Sequence, residues 1–462
     1  MPLSRYREII PDFDGFLAAC QRPLPICVWT NPLRADPAQV EAALIKAGAA
    51  PTPSRIHGAF LSTEDWRPGN TLSYFRGEYH VQEEVAQLAV PALNPKPGQR
   101  ILDLCAAPGN KTAQIAIAMQ NKGTLIANER RHDRLKALRG NLERLGVFNT
   151  ATILGDGAGI PLLAGPFDGV LADVPCTCEG TLRRNPKVAG RATARARLKI
   201  SRTQGHLLRR AIRLTRPGGV VVYATCTFAP EENEAVVQSV LGDQGRVVPF
   251  DSPLPSAPGL SQYNGETFRE DLRHARRFYP HLSNTGGFFI ARILVDRPDP
   301  GRTKERGPVN TYQRLEAADA TALWTGRFGV PPEVFQGFQF IRRGAKVVWA
   351  CPVDTEPGPH LLPESVGMAI SRMRGAYAKP TTNAILSFGP HATRNVVDLD
   401  DAQADAFVRR GIFAFDAGDR ADDGFVIVRY HGAPLGCGLY LDGRISSQLS
   451  KGRMLHAGAQ SR

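Results

Sequence analysis

The chain lacks any apolar run long enough to cross a bilayer, and its start, Met1-Pro-Leu-Ser-Arg-Tyr-Arg7, has no signal-peptide core. A soluble, cytoplasmic protein without membrane contact is therefore expected. Cysteine is sparse, with eight in 462 residues and no Cys-x-x-Cys pair. That excludes a disulfide framework. Cys176-Thr-Cys178 alone is poor zinc spacing, so no structural metal is expected. Internal repeats, low-complexity tracts and coiled-coil heptads are also missing, which favours a monomer. Acid is absent from one long stretch: Gly180 to Arg216 holds twelve Lys or Arg and no Asp or Glu.

What is present is an ordinary globular composition, 42% hydrophobic, carrying a net charge of +13. The length fits about three domains. The basic stretch (positions 183, 184, 187, 191, 195, 197, 199, 202, 209, 210, 213 and 216) accounts for nearly the whole excess. Taken alone it reads as a solvated helix with a basic outer face. Placed just after a strand that ends in a cysteine, it reads better as a path for nucleic acid, whose phosphates bind Lys and Arg with release of counterions.

Organisation follows from the pattern. Residues 1–75 read as a small, α-rich extension with an amphipathic helix over Val40–Gly48, and a further helix is expected after it, over Gln82–Val90. Strands and helices then alternate through 100–104, 113–120, 124–128, 132–145, 151–154, 167–172, 196–215, 219–224 and 231–241, and a last strand lies within 286–294. That order predicts an α/β, Rossmann-like domain over 76–295 with a parallel sheet covered on both faces. A proline- and charge-rich linker is expected at 296–308, an accessory region at 309–385 and an α+β domain at 386–462.

Three strand ends carry the chemistry. Arg100-Ile-Leu-Asp-Leu-Cys-Ala-Ala-Pro-Gly-Asn-Lys-Thr112 is strand, tight turn and helix start. Its small residues let a ligand approach the backbone, and the helix N-terminus offers free N–H groups. Gly-x-x-x-x-Gly-Lys-Ser/Thr is absent, which argues against a phosphate loop. Glu129 ends the next strand, where doubly wound folds place an acid for ribose hydroxyls, and Asp156 follows the third. Together they favour an adenosine cofactor. Phe167-Asp-Gly-Val-Leu-Ala-Asp-Val-Pro-Cys176 and Gly219-Val-Val-Val-Tyr-Ala-Thr-Cys226 end in thiols. A lone cysteine there is most often a small buried hydrophobe. If the strands are parallel, however, both thiols meet the cofactor loop at one carboxyl edge and suit covalent chemistry on a base.

The motifs Asp103–Thr112, Asp173-Val-Pro-Cys-Thr-Cys-Glu-Gly-Thr-Leu-Arg-Arg-Asn-Pro186 and Tyr223-Ala-Thr-Cys-Thr-Phe-Ala-Pro-Glu-Glu-Asn-Glu234 resemble those of the Nop/Sun (RsmB/RsmF-like) family. These are S-adenosylmethionine-dependent RNA cytosine-C5 methyltransferases of the bacterial 16S rRNA type. Gly77-Glu-Tyr-His-Val-Gln82, Arg277-Phe-Tyr-Pro-His281 and Gly286-Gly-Phe-Phe289 support the resemblance, and the tail from about 390 looks like a PUA-type RNA-binding module. The resemblance implies that Cys226 is the nucleophile adding to cytosine C6 and that Cys176 assists product release. It further implies that Asp173 holds the N3/N4 edge and that Lys111 orients Asp173. Cys105, Ala106, Ala107, Pro108, Gly109, Lys111, Glu129, Arg134, Asp156 and Asp173 would bind the cofactor; Arg183, Arg184 and Lys187 would meet RNA. Cys178 and Asn110 depart from the family, which usually has a small residue or glycine at the first position and more commonly glycine at the second. The expected substrate is 16S rRNA or the small ribosomal subunit, with tRNA second. A non-catalytic RNA-binding assembly factor is the rival from another class, and a DNA methyltransferase, which would use the Pro-Cys thiol, is a further one.

Overall fold

The computed structural model describes residues 3–190, 192–297, 312–342, 344, 346–374 and 377–450. The expected linker therefore lies, from 298 onward, outside the described residues, as does Arg191. At the centre is a twisted sheet built on β1 (Arg100–Asp103), β2 (Thr124–Glu129), β3 (Thr150–Leu154), β4 (Phe167–Asp173), β5 (Thr215–Thr225) and β6 (Phe288–Val295). Their order is β6-β5-β4-β1-β2-β3. The first five are parallel, as expected, and β6 runs antiparallel beside β5.

Alternation along these buried strands sorts the side chains to two faces. Leu102, Val170 and Val221 join the cluster under α3 (Ala194–Leu214) and α4 (Glu234–Leu241). Ile101, Leu171 and Val222 join the opposite cluster, with α1 (Asn110–Ala118) and α2 (His132–Arg144). Strand order reverses between β1 and β4, and a crevice opens there at the carboxyl ends, the usual binding edge of such sheets.

The basic stretch is largely α3. Thr193 caps its start by accepting from the Ala196 N–H, and its buried face is Gln204, Leu207, Leu208, Ala211 and Ile212. Each large apolar side chain there contributes about 1.5–3 kcal/mol. Arg195, Lys199, Arg202 and Arg209 recur at helical spacing on the exposed face. From the buried face, Gln204 donates to the Pro175 carbonyl at 2.9 Å, next to the first thiol.

Two expectations change. The α-rich extension has its helices at Phe13–Gln21 and Pro37–Lys46, but it also holds a four-stranded antiparallel sheet of Thr52–Pro53, Ala59–Ser62, Ile26–Thr30 and Tyr79–Val81; the second helix packs on this sheet and the first on Phe228 and Tyr279. The expected helix at Gln82–Val90 is a 3-10 turn over Val85–Leu88 followed by a helix over Ala89–Leu93. Beyond residue 311, one five-stranded sheet spans Gln313–Leu315 to Tyr377–Pro380, and a second contains the hairpin Gly424–Tyr430 and Ala433–Leu441. A helix over Thr382–Phe388 joins them in one apolar cluster. Pro363–Val366 leaves this region and pairs with β3, so the central sheet is completed by chain from beyond the expected linker. Among the described residues, no helix is long and apolar enough to cross a membrane.

Candidate active site

The register of β1, β4 and β5 sets Asp103 opposite Leu171 and Asp173 opposite Ala224. The cofactor loop and both thiol-bearing segments therefore leave the sheet at one height. Cys176 Sγ lies 3.1 Å from Cys226 Sγ and 3.8 Å from Cys178 Sγ. Lys111 Nζ donates to Asp173 Oδ2 at 2.7 Å and sits 5.3 Å from the Phe288 ring centroid.

Buried polar contacts hold the thiol segments. Glu232 accepts from Thr177 N (2.9 Å), Thr177 Oγ1 (2.6 Å) and Gln204 Nε2 (3.1 Å). Gly180 N donates to the Cys226 carbonyl at 2.9 Å, and Gly287 N to the Gly180 carbonyl at 2.8 Å. A Cβ on Gly180 would fall 2.1 Å from the Gly287 oxygen, so this crossing requires glycine. Tyr6 donates to Glu179 at 2.5 Å, tying the N-terminus to the same loop.

Charge in the site is redistributed by burial. Burial lowers the Lys111 pKa, but the ion pair with Asp173 outweighs it and the ammonium ends above its ordinary range. Cys176 is raised by contact with Cys178, then by Cys226 and burial. Contact with Cys176 lowers Cys226, but Cys178 and burial raise it more. Cys178, accepting from Cys176 and close to Arg184, is pushed down. Lys111, Arg183 and Arg184 line the same crevice as Cys226.

A pocket of about 510 Å³ opens on this edge. It gathers Asp103, Cys105, Ala106, Ala107, Pro108, Lys111, Asp173, Cys226, Arg183 and Arg184, together with the segment Pro23–Cys27 and Glu83. Gly109, Glu129, Arg134, Asp156, Cys176 and Lys187 are outside its lining. Gly109 (φ +106°) packs against Leu138 and starts α1. Glu129 is buried, accepts from Arg131 N at 2.8 Å and pairs with Arg134 at 3.3 Å, while Arg134 reaches back to the Ala107 carbonyl. Asp156 is exposed and accepts from Ala158 N at 3.1 Å. Arg183 spends its guanidinium on the carbonyls of Arg22, Pro23 and Thr285 and on Asn284, whereas Arg184 and Lys187 are exposed.

The residues fit a cationic amino-acid end of a cofactor. Asp103 Oδ2 accepts from Thr112 at 2.7 Å, but Oδ1 is buried without a partner. Burial, with Asp173 nearby, lifts the Asp103 carboxyl to about 7. An orphaned acceptor in a crevice beside small residues is ready for an ammonium donor.

Asn110 earns its place through His80, whose Nε2 lies 2.9 Å from Asn110 Oδ1 and whose Nδ1 accepts from Arg144 Nη2 at 2.6 Å. Burial and Arg144 push His80 down to about 4, so it is a neutral strut beneath the loop. Sequence reasoning missed Glu83, Glu232 and Gln204. Glu83 adjoins the Gly77–Gln82 motif, and Glu232 lies inside the Tyr223–Glu234 motif. Phe288 also lines the pocket.

Comparison with known proteins agrees with this geometry. The family described as "16S rRNA methyltransferase RsmB/F" matches residues 90–294, and "Methyltransferase RsmF PUA domain" matches 394–455. The "Ribosomal RNA small subunit methyltransferase F" of Aeromonas hydrophila is 32% identical over 459 residues, 95% of this chain and 93% of its own. The "28S rRNA (cytosine-C(5))-methyltransferase" of Mus musculus is 37% identical over 66% of this chain and 40% of its own. A solved methyltransferase homolog from Pyrococcus horikoshii is 32% identical, with a TM-score of 0.56 over 63% of this chain and 92% of that one. The P. horikoshii NSun6 structure with SFG, at 22% identity and TM-score 0.54 over 61% and 94%, shares the fold. With a matching family domain and a relative 32% identical over 95% of its length, the chain belongs to the RsmB/F family of S-adenosylmethionine-dependent RNA cytosine-C5 methyltransferases.

Proposed function

We propose that this enzyme methylates a cytidine of 16S rRNA, free or in the small ribosomal subunit, through a covalent Cys226–C6 adduct. The observation that carries this reading is the 3.1 Å approach of Cys176 to Cys226 beside the Lys111–Asp173 pair. Bound S-adenosylmethionine supplies an electrophilic methyl group. Cys226, as thiolate, adds to C6 and makes C5 nucleophilic. After C5 has taken the methyl, loss of its proton and expulsion of the Cys226 sulfur restore the ring. Cys176, in contact with the departing sulfur, assists that release. Asp173, fixed by Lys111, holds the N3/N4 edge.

The cofactor residues divide by place. Asp103, Cys105, Ala106, Ala107 and Pro108 form the crevice wall, Gly109 and Lys111 start the helix above it, and Glu129, Arg134 and Asp156 stand towards the sugar and base. Arg184 and Lys187, with the exposed face of α3, form the RNA path. Residues 1–75 and 386–462 add RNA contacts around the 76–295 catalytic domain, since folded RNA is read largely by shape and exposed bases. The target cytosine must be unstacked to reach the thiols. We place the enzyme in the cytoplasm as a monomer.

The test is transfer of labelled methyl groups to 16S rRNA, small subunits or total tRNA. Label in 5-methylcytidine of the ribosomal substrates is expected. Label confined to tRNA would overturn the substrate, and no transfer to either by protein that binds the cofactor would favour the assembly-factor reading.

A further inference from the structure

We infer that Cys176, Cys178 and Cys226 form a binding site for a soft divalent cation of the zinc class, whose occupancy holds the enzyme off. The three sulfurs lie within 4.8 Å of one another and are all partly accessible. Thiolates bound tetrahedrally at about 2.3 Å from zinc stand roughly 3.8 Å apart. Cys176 and Cys178 already have that separation, 3.8 Å, and Cys226 at 3.1 Å from Cys176 needs only a small side-chain rotation. Cys226 lines the pocket, which gives the ion an entry path and leaves its fourth position to water. The ligand spacing could not be seen in Cys176-Thr-Cys178, because the third thiol arrives from the neighbouring strand, fifty residues on.

A second observation is the backbone at Cys178. Its φ of 62° and ψ of 21° lie in the left-handed region, which a residue with a Cβ rarely adopts. Glycine would occupy that position without penalty. This chain instead carries a third thiol there, pointing at the catalytic pair.

Coordination forms three metal–sulfur bonds with no change of oxidation state, and protons on the bound thiols pass to solvent. Sulfur held by the metal is no longer free to add to C6. That consequence rests on the proposed role of Cys226, whereas binding itself does not.

The test uses the full chain, kept reduced by a phosphine, and titrates it with cadmium as a spectroscopic probe and then with zinc in competition. One equivalent of cadmium should give thiolate-to-metal charge-transfer absorption that zinc displaces. Cys178→Gly, which suits the local backbone, should weaken binding at least about 10-fold and relieve zinc inhibition of methyl transfer by a similar factor. Cys178→Ser provides the same comparison with a side chain retained. Absence of the absorption in the wild type, or equal affinity in both variants, would overturn the site. Tight binding that leaves methyl transfer unaffected would overturn the off state, and the binding result would stand apart from any failure of the Cys226 reading.

Discussion

At the scale of single residues, Asp103 shows how burial prepares a group for its ligand. Its carboxyl, raised to about 7, keeps its proton over a range where an unfolded chain has lost it. The unliganded protein should therefore lose stability as pH rises from about 4 towards 7, since the folded state binds more protons there than the unfolded one. A cofactor ammonium prefers the ionised form, so S-adenosylmethionine should bind more tightly as pH rises through about 7. Calorimetric titration across that range should show the trend, and Asp103→Asn should flatten it and weaken binding on the order of 10-fold. An affinity in the wild type that does not change with pH would contradict the assignment. Both thiols were legible in the sequence because each follows an apolar strand, whereas the Lys111–Asp173 pair was expected only from the family resemblance. The convergence of three thiols was not legible, because it depends on the meeting of segments fifty residues apart.

Elements determine whether those residues meet. The Cys176 segment is fixed by Glu232 and Gln204, and its crossing with the Gly286-Gly287 turn requires Gly180. Glu232→Ala would leave Thr177 N without its acceptor, while Thr177 Oγ1 and Gln204 Nε2 keep Thr227 and the Pro175 carbonyl, so a loss of roughly 1–3 kcal/mol and a drop in the denaturation midpoint are expected. Turnover should fall further than cofactor affinity, because the pocket wall around Asp103 is independent of this anchor. Gly180→Ala should behave similarly. Chemical denaturation with parallel cofactor binding checks both, and a variant with full turnover would contradict the role. The parallel strands and their helices were readable because doubly buried strands are near-continuous apolar runs and amphipathic helices repeat every three to four residues. Short strands paired at a distance were not. Thr52–Pro53 has two residues, and Pro363–Val366 carries a proline and a glutamate.

For the whole molecule, the strand from beyond 311 matters most. Pro363–Val366 covers the β3 edge, Asp354 accepts from Gly123 N at 2.6 Å, and Arg100 donates to the Pro357 carbonyl at 2.8 Å. The C-terminal hairpin region is also tied to the N-terminal extension, with Arg76 donating to the Tyr430 carbonyl at 3.0 Å and Arg34 to Ser387 at 2.8 Å. Truncation after residue 297 should therefore expose an unpaired strand edge and yield an aggregating or less stable protein, not a free-standing catalytic unit. Size-exclusion chromatography and thermal unfolding check this, and a soluble truncation of unchanged stability would contradict it. The composition shift at the proline-rich stretch marked a change of architecture but hid the return of one strand, since a crossing of that kind leaves no local pattern.

The most direct measurement is denaturing-gel analysis of Cys176→Ala incubated with S-adenosylmethionine and small-subunit rRNA. A protein–RNA adduct should persist because release is blocked, and it should vanish when Cys226 is also replaced by alanine. An adduct that survives loss of Cys226, or none at all from protein that still binds cofactor and RNA, would contradict the two-thiol mechanism.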